Sequence, residues 1–215
     1  MIRIERTGLQ LRHGVAWLQQ QGLQTPQLRQ ALGQSLAWEQ PLVTVYGKQH
    51  RTPRLTCWVA DPGYSYRYSG LQQAIHPWTA ELETLRQLLL DQLGVRFNSL
   101  LLNRYRDGAD RMGWHADDEP ELDAAAPIAS LSLGAPRDFR LRPRPSPRLA
   151  RDLAAAVQAS NGQQPDGFGD CTPFNLPLHD GDLLLMEPPT QLWWQHALPR
   201  RLPVQPARRP QRPLR

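Results

Sequence analysis

Alternation of apolar and polar residues is clearest over Ile128–Leu133 (IASLSL), which follows an earlier apolar run at Leu100–Leu102. Residues two apart point to the same face of a strand, so this pattern predicts strands with one buried face. By the same reasoning, the other predicted strands are Val43–Val45, Leu55–Val59, part of Leu176–Met186, and Gln191–His196. Tyr46-Gly47-Lys48 suits a hairpin tip.

Helical spacing predicts two further regions. Residues 1–40 are interpreted as a polar edge followed by one or two helices, with His13 on the surface; the apolar positions are Leu9, Leu11, Val15, Leu18, Leu23, Leu28, Leu32 and Leu36. Pro77–Leu93 predicts an amphipathic helix that Gly94 ends. Between Arg140 and Asn175 the chain is rich in Pro, Gly, Gln and Asp, which predicts a long loop.

Composition narrows the class of protein. A chain of 215 residues suits one domain with a sizeable core. Cys57 and Cys171 are too few for a disulfide framework, and neither a membrane-length apolar run nor a signal-peptide pattern is present. We therefore expect a soluble protein of a reducing compartment, with no membrane partner. The net charge of +5 favours polyanionic partners, nucleic acid before membrane.

The candidate chemistry centres on His115 and Asp117. In a strand these two side chains would share a face, as two ligands of a metal held by two histidines and one carboxylate would. His196 is the candidate third ligand, while His179 competes on chemistry alone but lies in a His-Asp-Gly-Asp turn. The alternative is a surface histidine beside an acidic turn, which Asp118 and the glutamates after it make reasonable.

A second candidate site lies in the stretch 41–76. Tyr64, Tyr66 and Tyr68 fall on one face of a predicted strand, and basic residues are interleaved with them: Lys48, His50, Arg51, Arg54 and Arg67. Aromatic rings stack on bases and arginines hold phosphates, so this composition is typical of nucleic-acid binding. An aromatic sheet face packed on the core explains it equally well.

From Val43 to His196 the sequence resembles the AlkB family of Fe(II)- and 2-oxoglutarate-dependent nucleic-acid dealkylases, and most closely the branch acting on double-stranded DNA. The motifs are VYGK, PR, YxYSG, NRYxDGxDxxGxHxDDExEL, PIASxSxGAxRDF and a final HxLP. The resemblance implies an α+β fold with a double-stranded β-helix (jelly-roll) core. It also implies a single dioxygenase domain over 1–215: a helical region (1–40), a nucleotide-recognition lid (41–76), and the jelly roll (95–215) with its loop insertion (140–175).

Residue roles follow from the same resemblance. The implied iron ligands and catalytic residues are His115, Asp117 and His196, and the implied 2-oxoglutarate contacts are Asn103, Tyr105, Arg209 and Arg215. The implied substrate contacts are Tyr46 as an intercalating finger with Arg54 on the same side, Tyr66, Tyr68 and Ser69 in the lid, and Asp118 and Glu119 at the base edge. An arginine fork suits a carboxylate because it donates two parallel hydrogen bonds.

The implied activity is oxidative removal of N-alkyl groups from bases such as 1-methyladenine and 3-methylcytosine in DNA, with Fe(II), 2-oxoglutarate and O2. The base must leave the duplex to react. Two alternatives stay open: a nucleic-acid-binding relative with weak or no turnover, since Pro210 and Pro213 interrupt the last strand, and an oxygenase acting on single-stranded DNA, RNA or protein. We expect a monomer in the cytoplasm, or in the nucleus if the source is eukaryotic.

Overall fold

The apolar runs form strands, and the computed structural model describes residues 1–45, 47–64, 67–68, 71–72, 74–144 and 171–201. The strands are β1 (Ile2–Arg6), β2 (Leu9–Gly14), β3 (Leu42–Val45), β4 (Lys48–Arg51), β5 (Leu55–Ala60), β6 (Arg67–Tyr68), β7 (Leu71–Gln72), β8 (Ile75–His76), β9 (Ser99–Arg104), β10 (Met112–His115), β11 (Ile128–Leu131), β12 (Arg137–Pro143), β13 (Phe174–Leu178), β14 (Leu183–Glu187) and β15 (Trp194–Leu198). The helices are α1 (Trp17–Gln20), α2 (Thr25–Ser35), α3 (Ala80–Leu93) and α4 (Thr190–Trp193).

Two antiparallel sheets of four strands make the centre of the fold. One has the order β1-β2-β14-β11 and the other the order β10-β15-β12-β13. Their inner faces share one apolar core, to which the first sheet contributes Leu9, Leu11, Leu184 and Met186, and the second Phe139, Leu141, Leu178 and Trp194. Two sheets that bury one face against each other make a sandwich, and the predicted jelly-roll core is confirmed.

Helices cover the outer face of the first sheet. Leu183 of β14 belongs to a second apolar cluster, together with residues of α2, α3 and β5. Strand β14 is therefore buried on both faces, which explains its unbroken Leu-Leu-Leu-Met sequence. Thr79 caps α3 by accepting a hydrogen bond from the Leu82 N–H, and Gly94 ends it with a left-handed φ of 70°.

The segment before α3 forms smaller sheets. Strands β3 and β4 pair as the predicted hairpin, with Val45 opposite Lys48. Strand β5 pairs with β9 and, in parallel, with β8. The partner of β5, β9, carries Asn103, which lies opposite Thr56.

The helical prediction for residues 1–40 is wrong in its first part. Leu9 and Leu11 lie on β2, which pairs with β1 and with β14. Their spacing of two residues is that of a strand, and Gly8 closes the turn with φ +68°. The surface position predicted for His13 is also wrong. His13 is buried, and its Nε2 lies 2.9 Å from Asp182 Oδ2. Helices begin at Trp17.

Two other boundaries differ from prediction. The predicted strand Gln191–His196 begins as helix α4, and only its last three residues belong to β15. Strand β12 continues to Pro143 and β13 begins at Phe174, so the predicted 140–175 loop overlaps a strand at each end; its middle lies outside the described residues. Cys57 is a buried free cysteine. No helix in the described part of the chain is long and apolar enough to cross a membrane.

Candidate metal centre and co-substrate site

Two histidines face each other across neighbouring strands of the second sheet. His115 ends β10 and lies directly opposite His196 of β15, with ring centroids 4.1 Å apart. Asp117 is not on the strand as predicted; it lies in the loop that follows β10. The expected convergence of the three side chains is nevertheless present, because this loop turns the carboxylate back toward both rings.

The donor atoms suit one cation. Asp117 Oδ1 lies 3.6 Å from His115 Nε2, and Asp117 Oδ2 lies 3.5 Å from His196 Nε2. Ligands about 2.1 Å from one metal and at right angles are about 3.0 Å apart, so a small inward movement would complete the site. Two histidines and one carboxylate on one face are the donor set of Fe(II) oxygenases, with positions left open. His179 is not part of the group, since its side chain is 61% exposed near Asp182.

Neighbouring groups fix the orientation of each imidazole. His115 Nδ1 lies 2.8 Å from the Gly113 carbonyl oxygen, which can only accept a hydrogen bond. Nδ1 therefore carries the proton, and the Nε2 lone pair remains for a metal. The His196 ring stacks on Phe139, with centroids 4.9 Å apart and an interplanar angle of 19°.

Burial sets the protonation of the site. Burial lowers the pKa of His115 and lowers that of His196 well below its usual value, so both rings are neutral, as metal ligands must be. Burial raises the pKa of Asp117 to about 7, and the charges of Glu119 and Asp118 act in the same direction. A divalent cation would reverse this by favouring the ionised carboxylate.

Of the predicted 2-oxoglutarate contacts, Asn103 lies at the end of β9 and pairs with Thr56 of β5. Arg54 Nε donates a 2.6 Å hydrogen bond to its Oδ1. Arg54 was predicted to lie on the finger side with Tyr46, yet it is only 4% exposed, and its charge helps to lower the pKa of His115. The structure therefore pairs the buried Arg54 with Asn103.

Tyr105, the other described candidate for the 2-oxoglutarate site, lies just beyond β9. Its hydroxyl is 3.9 Å from the Met112 sulfur, and the Arg137 guanidinium lies 5.1 Å above its ring. Arg137 Nη2 also donates to the carbonyls of Asp110 at 2.8 Å and Pro199 at 2.9 Å. One arginine thus joins the loop after Tyr105 to the chain that leaves β15.

The substrate residues are described in part. Asp118 forms a 2.6 Å ion pair with Arg144. Glu119 is half-buried, and its charge acts on Asp117. Tyr68 lies on β6, which pairs antiparallel with β7. The remaining predicted contacts, Tyr46, Tyr66, Ser69, Arg209 and Arg215, lie outside the described residues.

Three supporting residues escaped the sequence analysis: Arg137, Arg144 and Gln191. The Asp117 N–H donates to Gln191 Oε1 at 2.9 Å, across 74 residues of sequence. No spacing rule relates such distant positions. The GAxRDF motif, which contains Arg137, was the one available signal.

Comparison with known proteins places this site in a family. Residues 10–213 match the description "2OG-Fe(II) oxygenase superfamily". The chain is 40% identical over 162 residues to human "DNA oxidative demethylase ALKBH2", covering 75% of this chain and 56% of that protein. It is 35% identical over 169 residues to human "Alpha-ketoglutarate-dependent dioxygenase alkB homolog 3", covering 79% of this chain and 54% of that protein.

A solved structure, "The structure of OsALKBH1", shares the fold with a TM-score of 0.56 and 16% identity, over 92% of this chain and 87% of that one. The chain spans a little over half the length of the curated relatives it matches. The expected resemblance to the AlkB family is confirmed, and the chain belongs to the 2OG-Fe(II) oxygenase superfamily.

Proposed function

We propose that this chain is an Fe(II)- and 2-oxoglutarate-dependent dioxygenase that removes N-alkyl groups from damaged bases in DNA. The observation that carries the proposal is the convergence of His115, Asp117 and His196, whose ligand atoms lie within 4.8 Å of one another; among the described residues, the cluster has these three members. The similarity to proteins named DNA oxidative demethylase supports the choice of DNA.

The metal and its co-substrate would supply the oxidising power that converts the N-alkyl carbon to an aldehyde, with 2-oxoglutarate becoming succinate and CO2. The chain's own part is to hold and orient. His115, Asp117 and His196 would hold the iron, and Asn103 and Tyr105, with Arg209 and Arg215, would bind 2-oxoglutarate. The hydrogen bond from Arg54 occupies the side-chain oxygen of Asn103. The amide N–H groups of Asn103 then remain to donate to a carboxylate of 2-oxoglutarate.

Substrate binding would depend on the lid and the hairpin. Lys48, His50 and Arg51 of β4 are exposed, which suits contact with phosphates. A flipped base would stack between Tyr68 and His115, and a cationic N-alkylated base would gain cation–π energy there. The negative charges of Asp118 and Glu119 would favour that cation.

The test uses an oligonucleotide carrying 1-methyladenine, supplied with Fe(II), 2-oxoglutarate and air. We expect formaldehyde and succinate in equal amounts, and none from His196→Ala. The unmethylated oligonucleotide is the matched control. Tight binding of the methylated strand without product would contradict the proposal and favour a binding protein without turnover.

Strand preference and assembly belong to the same proposal. Parallel assays on duplex DNA, single-stranded DNA and RNA should give the highest kcat/KM on DNA.

Light scattering after gel filtration should give the mass of one chain, since we propose a monomer. We place the enzyme in the cytoplasm, or in the nucleus of a eukaryote, which imaging of a tagged chain would test.

A further inference from the structure

The metal ligand Asp117 lies in a loop and not on a strand, so something other than a sheet ladder must hold it. Strand β10 ends at His115, and the next strand, β11, begins at Ile128. The Asp117 N–H donates a 2.9 Å hydrogen bond to the side-chain oxygen of Gln191. Gln191 belongs to helix α4, which leads directly into β15 and His196.

The Gln191 amide is held in one orientation. Its Oε1 accepts from the Asp117 N–H, and its Nε2 lies 3.4 Å from the sulfur of Met186. Met186 is 3% exposed on the central strand β14, so it is a fixed anchor. The amide is therefore held between the sandwich core and the metal-ligand loop.

Arg144 adds a second connection between the same two elements. Its guanidinium donates to Asp118 Oδ2 at 2.6 Å and to the Gln191 carbonyl oxygen at 3.3 Å. The Arg144 N–H also donates to the Trp193 carbonyl at 2.7 Å. The loop that carries Asp117 is thus joined to α4 at two successive residues, once through its backbone and once through a side chain.

We propose that Gln191 is a positioning residue for the metal centre, with Arg144 as its support. It sets the distance between Asp117 and the two histidines by joining the ligand loop to the helix that precedes His196. Gln191 acts through the backbone N–H of Asp117. Groups that orient metal ligands in this way typically change metal affinity by about 10- to 100-fold when removed.

The inference rests on the proposed metal site but not on any DNA substrate, so it is tested with Co(II) alone. Metal-free full-length chain is titrated with Co(II), and the visible absorption of the complex gives affinity and coordination. For Gln191→Leu, which keeps the volume but loses the acceptor, we expect an affinity about 10- to 100-fold weaker. Its spectrum should shift toward that of Asp117→Ala.

Three further variants make the test specific. Gln191→Glu keeps an acceptor oxygen, so it should retain most of the Co(II) affinity and the spectrum of the parent. Gln191→Asn is one methylene too short to reach the Asp117 N–H, so it should resemble Gln191→Leu. Leu192→Ala changes an exposed side chain on the same helix and should bind Co(II) like the parent. Thermal unfolding of each metal-free variant checks that the fold is intact.

Folded Gln191→Leu or Gln191→Asn with parental affinity and spectrum would overturn the inference. If Gln191→Leu does not fold, Gln191→Asn decides it in the same way. A chain that is inactive on methylated DNA but shows Gln191-dependent Co(II) binding would contradict the proposed function while supporting this inference.

Discussion

Arg137 gives the sharpest prediction about the co-substrate. Its guanidinium connects three parts of the site: the loop at Asp110, the chain at Pro199, and the ring of Tyr105. Beyond Pro199 the chain continues to Arg209 and Arg215, the predicted 2-oxoglutarate ligands. Arg137→Ala would remove the two hydrogen bonds that join Asp110 to Pro199, without touching the three metal ligands.

The size of the effect follows from the two hydrogen bonds to carbonyls. Hydrogen bonds that involve a charged group contribute about 1.5–3 kcal/mol each, so losing two removes roughly 3 kcal/mol at the lower end. Each 1.4 kcal/mol is a factor of ten in an equilibrium constant. We therefore expect the KM for 2-oxoglutarate to rise by about 100-fold, the factor that corresponds to this lower figure.

The assay measures succinate at saturating iron and methylated DNA while 2-oxoglutarate is varied. Arg137→Lys keeps the charge and an amine that can donate to both carbonyls, but it loses the planar guanidinium over the Tyr105 ring, so its KM should lie between those of the parent and Arg137→Ala. Arg140→Ala, an exposed arginine on the same strand, is the matched control and should leave the KM for 2-oxoglutarate unchanged. Parental KM in a folded Arg137→Ala protein would refute the reasoning, as would an equal loss of Co(II) affinity.

Three further predictions concern the metal, the finger and the fold. His115→Ala should abolish product formation while DNA binding in a gel-shift assay survives; unchanged product would refute the iron assignment. Tyr46→Ala should reduce kcat/KM on duplex DNA more than on single strands, and an equal loss on both would remove the finger role. Burial raises the pKa of Asp182, but hydrogen bonds from two backbone N–H groups and from His13 outweigh this and hold it below its usual value. The Asp182 carboxylate should therefore stabilise the fold fully above its unfolded-state pKa of about 3.9, and this stabilisation should be lost as the pH falls from there through the lower folded-state pKa. In urea unfolding, the free energy of unfolding of Asp182→Asn should fall less than that of the parent as the pH is lowered below about 3.9.

Elements with strong local patterns were predictable. The amphipathic stripe before Gly94 gave α3, and the unbroken apolar run of β14 marked a doubly buried strand. Residues 2–14 were not predictable in this way. The spacing of Leu9 and Leu11 fits a strand, but later leucines extend it into a helical pattern. Pairing with β14 makes this segment a strand. The two strands are far apart in sequence: His13 and Asp182, which meet at this pairing, are separated by 169 residues.

The candidate site, like the fold, was predictable from the sequence only in part. His115, Asp117 and His196 were identified because metal chemistry restricts residue type and the motifs around them are specific. Gln191 and Arg144 were not, because many side chains could accept from a backbone N–H or pair with Asp118. Only the folded chain brings α4 and the end of β12 beside the Asp117 loop.

Diffraction from crystals grown with Fe(II) and 2-oxoglutarate under anaerobic conditions, collected at the iron absorption edge, tests the metal centre most directly. We expect one anomalous peak about 2 Å from His115 Nε2, His196 Nε2 and an Asp117 carboxylate oxygen. A peak bound by other residues, or a His196 ring turned away from the other two ligands, would contradict it.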